Sequence, residues 1–201
     1  MSRRWLIALT GGIACGKSEV AGMLAAEGVP VLDTDQVARR LLSPGHWVFE
    51  NVVAAFGSEY LAEEGGIDRR RLGALVFSNA EARERLNAIM HPAVYEEVFR
   101  WAAQAPASEA VVMIPLLYET KREKDFDRVW VVAADESLML RRMAGRGWTE
   151  AEARARIAAQ MSLQEKIKRA DVVLWNNTDL SALRAATREA WNQFLAEKEK
   201  P

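Results

Sequence analysis

The chain has 201 residues, half of them hydrophobic and 27% charged, which fits one medium domain with a buried core and not an array of repeats. Twenty-seven basic against 28 acidic residues leave a net charge of −1, which argues against a chain devoted to coating nucleic acid, and the single cysteine excludes a disulfide framework or an all-cysteine metal site. The longest apolar stretch, Ala110 to Tyr118, is broken by Pro115 and falls well short of the roughly 20 residues that span a bilayer. The N-terminus lacks the long apolar region and small-residue cleavage site of a signal peptide. The expectation is a cytoplasmic protein with no membrane and no nucleic-acid partner; the sequence leaves the oligomeric state unknown.

In chain order, the first apolar run, Trp5–Leu9, reads as a strand. A helix is predicted over Lys17–Glu27 and a second strand over Val29–Leu32. Helical patterns follow over Gln36–Leu42, Trp47–Phe56, Arg70–Phe77 and Ala80–Ala103, with Pro92 placed in a first helical turn. Strands are predicted at Ala110–Ile114 and Val129–Ala133, helices at Ser137–Arg146 and Glu150–Ala159, a strand at Val172–Trp175, and a last helix over Leu180–Glu197. The strands are mostly continuously apolar, as in sheets covered on both faces. Strands alternating with helices predict a parallel α/β sheet with right-handed crossovers. The mostly helical stretch between the second and third strands is far longer than a crossover needs. It reads as a helical subdomain or as an expanded crossover covering a substrate.

The strongest chemical signal is Gly11-Gly12-Ile13-Ala14-Cys15-Gly16-Lys17-Ser18, a G-x-x-x-x-G-K-[ST] sequence between a strand and a helix. Such a loop turns backbone N–H groups inward around phosphate oxygens, and the helix that follows offers open N–H groups and a positive dipole end. Lys17 is expected on the β- and γ-phosphates and Ser18 on Mg²⁺. Cys15 is read as a small residue whose backbone does the binding, not as a nucleophile. The motif specifies nucleoside triphosphate binding and leaves the fate of the γ-phosphate open.

Val29–Leu32 runs into Asp33-Thr34-Asp35, and ligands of doubly wound sheets sit at the carboxyl ends of strands. Asp35 is assigned as the cap of the following helix, and Asp33 as the acid that accepts a hydroxyl proton or helps hold Mg²⁺. After the fourth strand, Arg142 and Arg146 are spaced i, i+4 on one helical face, near Gly145 and Gly147. Pro115-Leu116-Leu117-Tyr118-Glu119 follows the third strand, where the apolar pair forms one wall of an acceptor pocket. Glu119 orients a ligand there or faces solvent. His91 contacts the acceptor or makes a structural hydrogen bond, and His46 has no comparable context. Asn176 and Asn177 follow the last strand and either meet the nucleotide or form a turn.

These residues, nearly end to end, resemble the dephospho-coenzyme A kinase family. The resemblance runs through Leu9–Ile13 with Gly16-Lys17-Ser18, Asp33-Thr34-Asp35 with Ala38-Arg39, Phe56-Gly57, Asp68-Arg69 with Leu72, and Val76-Phe77. It continues through His91-Pro92 with Val94, Pro115–Glu119, Arg142 and Arg146, Gln160, and Ala170-Asp171 with Asn176-Asn177. The resemblance implies a P-loop NTPase fold across residues 1–201, with a helical CoA-binding insertion at about 36–104 and a lid at about 137–160. It implies phosphorylation of the ribose 3′-hydroxyl of dephospho-CoA by ATP with Mg²⁺. The catalytic residues would be Asp33, Lys17 and Arg142. The nucleotide would be held by Gly11 through Ser18 with Glu19, Arg146 and Asn177, the acceptor by Asp33, His91, Leu116 and Glu119, and the metal by Ser18. Ala14 stands where the family usually has glycine, and its Cβ excludes some glycine backbone angles. Glu19, Tyr118 and Thr178 are smaller departures.

Three other readings compete. Another small-molecule kinase of the same fold shares the loop but not the full set of matches. A GTPase switch would carry Asp-x-x-Gly, which is absent, and Asn-Lys-x-Asp, whereas Asn176-Asn177-Thr178-Asp179 lacks the lysine. A mechanical ATPase would use Val131–Glu136 as a strand ending in Asp-Glu, but Asp135 is read as a helix-cap acid.

Overall fold

The computed structural model describes residues 4–198. Its elements run β1 (Trp5–Gly11), α1 (Lys17–Ala26), β2 (Val31–Asp33), α2 (Thr34–Leu41), α3 (Trp47–Phe56), α4 (Arg69–Ser78) and α5 (Ala80–Gln104). They continue with β3 (Glu109–Met113), β4 (Arg128–Ala133), α6 (Glu136–Ala144), α7 (Glu150–Ala158), α8 (Leu163–Lys168), β5 (Val172–Trp175) and α9 (Leu180–Lys198). The sheet order is β2-β3-β1-β4-β5, with β1 parallel to both β3 and β4 and β5 parallel to β4. Residues up to Leu32 and from Ala105 onward form one compact unit, and Asp33–Gln104 forms another.

In the first unit, β1 is buried from Leu6 to Gly11 and β4 from Val129 to Ala133. Burial on both faces removes any reason for polar alternation, which is why these strands read as unbroken apolar runs. Ile7, Leu9, Trp130 and Val132 share a core with Val20 and Leu24 of α1 and with Trp191 and Phe194 of α9. Trp130 meets Trp191 edge-on with centroids 6.1 Å apart, and Trp191 lies 5.5 Å from Phe194. Such aromatic pairs fix orientation beyond the area they bury. α8 lies against β4.

In the second unit, α2, α3 and α4 each contact the long α5. All four of its α-helices open on side-chain caps. Asp33 Oδ1 accepts from Asp35 N at 2.8 Å, His46 Nδ1 accepts from Val48 N at 3.2 Å, Asp68 Oδ1 accepts from Arg71 N at 2.9 Å, and Asn79 Oδ1 accepts from Ala82 N at 3.0 Å. His46 Nδ1 therefore works as a cap acceptor, a context that the sequence did not reveal.

Several boundaries differ from expectation. α2 begins at Thr34, two residues before the predicted start, so its cap is Asp33 and not Asp35. The competition between the two acids goes to the residue that is still extended, because a cap must sit outside the helix while its carboxylate reaches back. α6 stops at Ala144, so Arg146 lies beyond its end and does not share a helical face with Arg142. Pro92 sits inside the 25-residue α5 rather than in a first turn, and its missing N–H leaves the Ala88 carbonyl without the usual helical donor. α8 was not predicted at all.

Candidate functional site

β1 ends at Gly11 directly against β4. A Cβ at that position would lie 2.2 Å from the Val132 carbonyl oxygen, so only glycine allows the strand to turn into the loop there. The loop closes at Gly16, the N-cap of α1, with φ 104° and no side-chain cap. Gly16 and Ser18 have no hydrogen-bond acceptor for their N–H groups among the described residues. This is the open helix terminus that binds anions. Lys17 Nζ folds across the loop and donates to the carbonyls of Gly11 (3.2 Å) and Gly12 (2.8 Å). Ser18 and Glu19 are exposed at the start of the helix, and Ile13 is half-buried.

Ala14 has φ 57°, a left-handed conformation that glycine enters freely and alanine does not. Its methyl group is buried with Met143 and Ala153, beside Ile13, Leu140 and Trp148. Cys15 is fully buried, and desolvation pushes its thiol pKa up, partly opposed by the Lys17 charge. The thiol is therefore protonated at neutral pH, in keeping with a packing role.

Two side chains from distant parts of the chain hold the loop's carbonyls. Arg142, in the last turn of α6, donates from Nη1 to Ala14 O (3.1 Å) and from Nη2 to Asn176 O (2.9 Å). Asn176, just past β5 and only 4% exposed, donates from Nδ2 to Cys15 O (2.8 Å). Asn177 makes a reciprocal pair with Asp135, accepting from its N–H (2.8 Å) and donating to its carboxylate (3.0 Å). Asp135 occupies the N-cap position of α6, as expected. Arg146 is exposed; its backbone N–H donates to Met143 O at 2.9 Å, and its side chain makes no hydrogen bond or ion pair among the described residues.

The segment after β3 is organised by charge. Lys166 of α8 is completely buried; its Nζ lies 2.9 Å from Glu119 Oε1 and donates to Pro115 O at 3.1 Å. Glu119 Oε1 also accepts from Met161 N (2.8 Å), at the return from α7 to α8, and the Pro115 carbonyl also accepts from Thr10 Oγ1 (3.4 Å). Leu117 is buried inside this turn, whereas Leu116 is 43% exposed on its surface. Between α6, α7 and α8 lies a cavity of about 440 Å³, walled by Met139, Ile157, Leu163 and Trp175.

The structure thus brings Gly11 through Ser18, Arg142 and Asn176 together. Asp33 caps α2 and His91 is half-buried in α5, where burial lowers its pKa and keeps the ring neutral at pH 7. Sequence reasoning missed Lys166 and the grip of Asn176 on the loop. A signal for α8 was available: Ser162-Leu163-Gln164-Glu165 has the S-x-x-E form of a helix start, and Ser162 Oγ accepts from Glu165 N at 3.2 Å. Nothing local marks Lys166 as buried.

A sequence profile described as dephospho-CoA kinase matches residues 5–182. A protein of Geobacillus kaustophilus (strain HTA426) named dephospho-CoA kinase is 49% identical over 175 residues, covering 85% of this chain and 87% of that one. The crystal structure of TT1252 from Thermus thermophilus superposes with a TM-score of 0.83 at 34% identity, covering 98% of each chain. The dephospho-CoA kinase from Campylobacter jejuni superposes with a TM-score of 0.69 at 26% identity, covering 94% of this chain and 96% of its own.

Proposed function

The chain belongs to the dephospho-CoA kinase family, and from that premise we propose how its residues divide the work of the reaction. The activity is phosphorylation of dephospho-CoA to CoA with ATP, the last step of CoA synthesis. The fold agrees, with a parallel sheet and a phosphate loop at the carboxyl end of its central strand. The observation that carries the assignment of roles is the loop itself, whose carbonyls are held by other side chains while N–H groups at the start of α1 stay open.

The N–H groups of this loop take the ATP phosphates, and Lys17 exchanges its carbonyl partners for phosphate oxygens. Arg142 uses two of its five N–H donors on carbonyls and keeps three for the nucleotide. Arg146, exposed past α6, closes onto the phosphates as part of a lid at about 137–160, and Asn177 borders the nucleotide. The exposed Ser18 hydroxyl suits Mg²⁺. Among the described residues no three His, Cys, Asp or Glu side chains gather into a metal cage, and Mg²⁺ in kinases is held mainly by phosphates and water. Bound there, Mg²⁺ would neutralise charge on the β- and γ-phosphates.

The helical segment at about 36–104 binds the acceptor, with neutral His91 as a contact. Leu116 offers an apolar surface, on a turn whose shape Glu119 sets. Asp33 accepts a hydrogen bond from the acceptor 3′-hydroxyl and aligns it for transfer. No helix among the described residues is long and apolar enough to cross a membrane. We place the enzyme in the cytoplasm.

The deciding experiment incubates the protein with ATP, Mg²⁺ and dephospho-CoA and identifies the phosphorylated position. Asp33→Asn should lower turnover by about 10²–10⁴-fold while sparing ATP affinity. Its melting temperature should stay near wild type, because Asn caps α2 about as well as Asp. Wild-type turnover in that variant would reduce Asp33 to a cap. Ser18→Ala should raise the Mg²⁺ concentration needed for half-maximal rate.

A further inference from the structure

We propose that Asn176 is a positioning residue for the phosphate loop, acting with Arg142 as a bracket that aims the loop's N–H groups at the nucleotide. The inference rests on the reading that this loop holds the ATP phosphates. It goes beyond that reading by giving a role to a residue outside the motif, 161 positions from the carbonyl it binds.

The argument begins with the peptide plane. In a trans peptide the C=O and the following N–H point in opposite directions. The Cys15 carbonyl shares its plane with the Gly16 N–H, and the Ala14 carbonyl shares its plane with the Cys15 N–H. Asn176 Nδ2 holds the first carbonyl at 2.8 Å and Arg142 Nη1 holds the second at 3.1 Å. Each pinned carbonyl fixes the direction of the N–H in its own plane. The Gly16 N–H is left open for a phosphate oxygen, and the Cys15 N–H donates to Gly12 O at 3.4 Å, a closure within the loop that the Arg142 bond holds in place.

The bracket is itself fixed at three points. The Asn176 backbone N–H donates to Ala133 O at 2.8 Å, extending the β4–β5 pairing by one residue. Its carbonyl takes the second Arg142 bond, and its side chain is buried. An amide in that setting has little freedom to swing away, so the sheet's geometry is passed directly to the loop. Gly16 is matched to it, because a Cβ there would stand 2.3 Å from Asn176 Nδ2. The glycine of the motif therefore makes room for the bracket as well as adopting a positive φ. Ala14 gives the second reason for a bracket. A residue held at φ 57° without glycine's freedom relaxes unless a neighbour restrains it, and the Arg142 bond is on its own carbonyl.

This role differs from contact with the base and from generic core packing, and the three predict different measurements. Asn176→Asp keeps the shape but sets a carboxylate oxygen against the Cys15 carbonyl; Asn176→Ala removes the donor and serves if the first variant folds poorly. The KM for ATP and for dephospho-CoA, and competitive inhibition by adenosine, are measured for each. Loss of one buried hydrogen bond that aims the loop should raise the KM for ATP about tenfold or more. The KM for dephospho-CoA and the inhibition constant of adenosine, which has no phosphate, should stay within about twofold, since neither depends on the loop's N–H groups. An unchanged KM for ATP in a folded variant overturns the proposal. So does an equal weakening of ATP and adenosine, which would make Asn176 a base contact or a packing residue. Lys17→Ala serves as the control on the underlying reading: if it keeps wild-type turnover, the loop assignment fails. If it is inactive while the Asn176 variants bind ATP normally, only the bracket fails.

Discussion

Two segments leave neighbouring strands at the carboxyl edge of the sheet and are held in different ways. The phosphate loop after β1 is restrained by hydrogen bonds to its carbonyls, from a neutral amide and from one arginine, and the N–H groups of Gly16 and Ser18 are left open. The turn after β3 is tied down by a buried ion pair, with Lys166 fully enclosed and bonded to both Glu119 and Pro115. The difference follows from what each must do. A segment that binds an anion through its own backbone has to be held by the atoms it does not use. A segment whose backbone need not stay open can be held by charges, provided they are enclosed and paired.

The comparison is tested hardest at the two lysines, which should fail in opposite ways. Lys17→Ala should cut turnover by about 10²–10³-fold, the usual cost of losing one donor to developing transition-state charge. Its melting temperature should hardly move, because Lys17 is only partly buried and its two bonds to the Gly11 and Gly12 carbonyls stay within the loop and tie it to no other element. A large loss of stability with modest loss of turnover would mean that the loop, too, depends on a structural charge.

Lys166→Met should do the reverse. Removing one member of a buried pair costs about 3–5 kcal/mol, because the partner carboxyl loses the cation that compensates it. In a chain of this size each kcal/mol shifts the melting temperature by about 2–4 °C, so a drop of roughly 6–20 °C is expected. Glu119→Gln combined with Lys166→Met should recover most of it, since buried pairs replaced together are often neutral, and glutamine can still accept from Met161 N. A double variant as unstable as Lys166→Met alone would show that the turn needs the charge itself.

The same contrast decides what the sequence could reveal. The loop was legible because its glycines, lysine and serine are contiguous, and each answers a local demand for a tight turn, an open helix start or a charge. The sheet was legible from apolar runs whose burial on both faces leaves no other reading. The Lys166–Glu119 pair spans 47 positions, and lysine in a short helix looks solvent-exposed until the fold encloses it. The sequence offers Asn176 as a turn residue or a nucleotide contact, but its grip on Cys15 depends on β5 ending beside the loop, which no spacing encodes. Asp33 and Asp35 were separated wrongly as caps because helix starts are set within a residue or two by which carboxylate can fold back, and both acids qualify locally.

The smallest expected effect concerns Ala14, and it asks how the loop tolerates a side chain at φ 57°. A left-handed conformation costs a non-glycine residue about 1–2 kcal/mol, so Ala14→Gly should gain that much. Two terms oppose it. Glycine loses about 0.5–1 kcal/mol more backbone freedom on folding. Ala14 is 9% exposed, with its methyl among Met143, Ala153 and their neighbours, and removing a buried group of that size forfeits about 0.8 kcal/mol. The terms nearly cancel, and the melting temperature of Ala14→Gly should stay within about 2–3 °C of wild type. The packing of the methyl against α6 and α7 is then what lets alanine stand at a glycine position, with Arg142 fixing the carbonyl beside it. A rise well beyond that range would mean that the strain is not offset by packing. A fall well beyond it would mean that the methyl group, more than the backbone angle, sets the shape of the loop. Turnover separates the two parts of the argument: with Arg142 still on the Ala14 carbonyl, the KM for ATP should rise by less than about threefold, smaller than the tenfold expected when the bracket itself is removed.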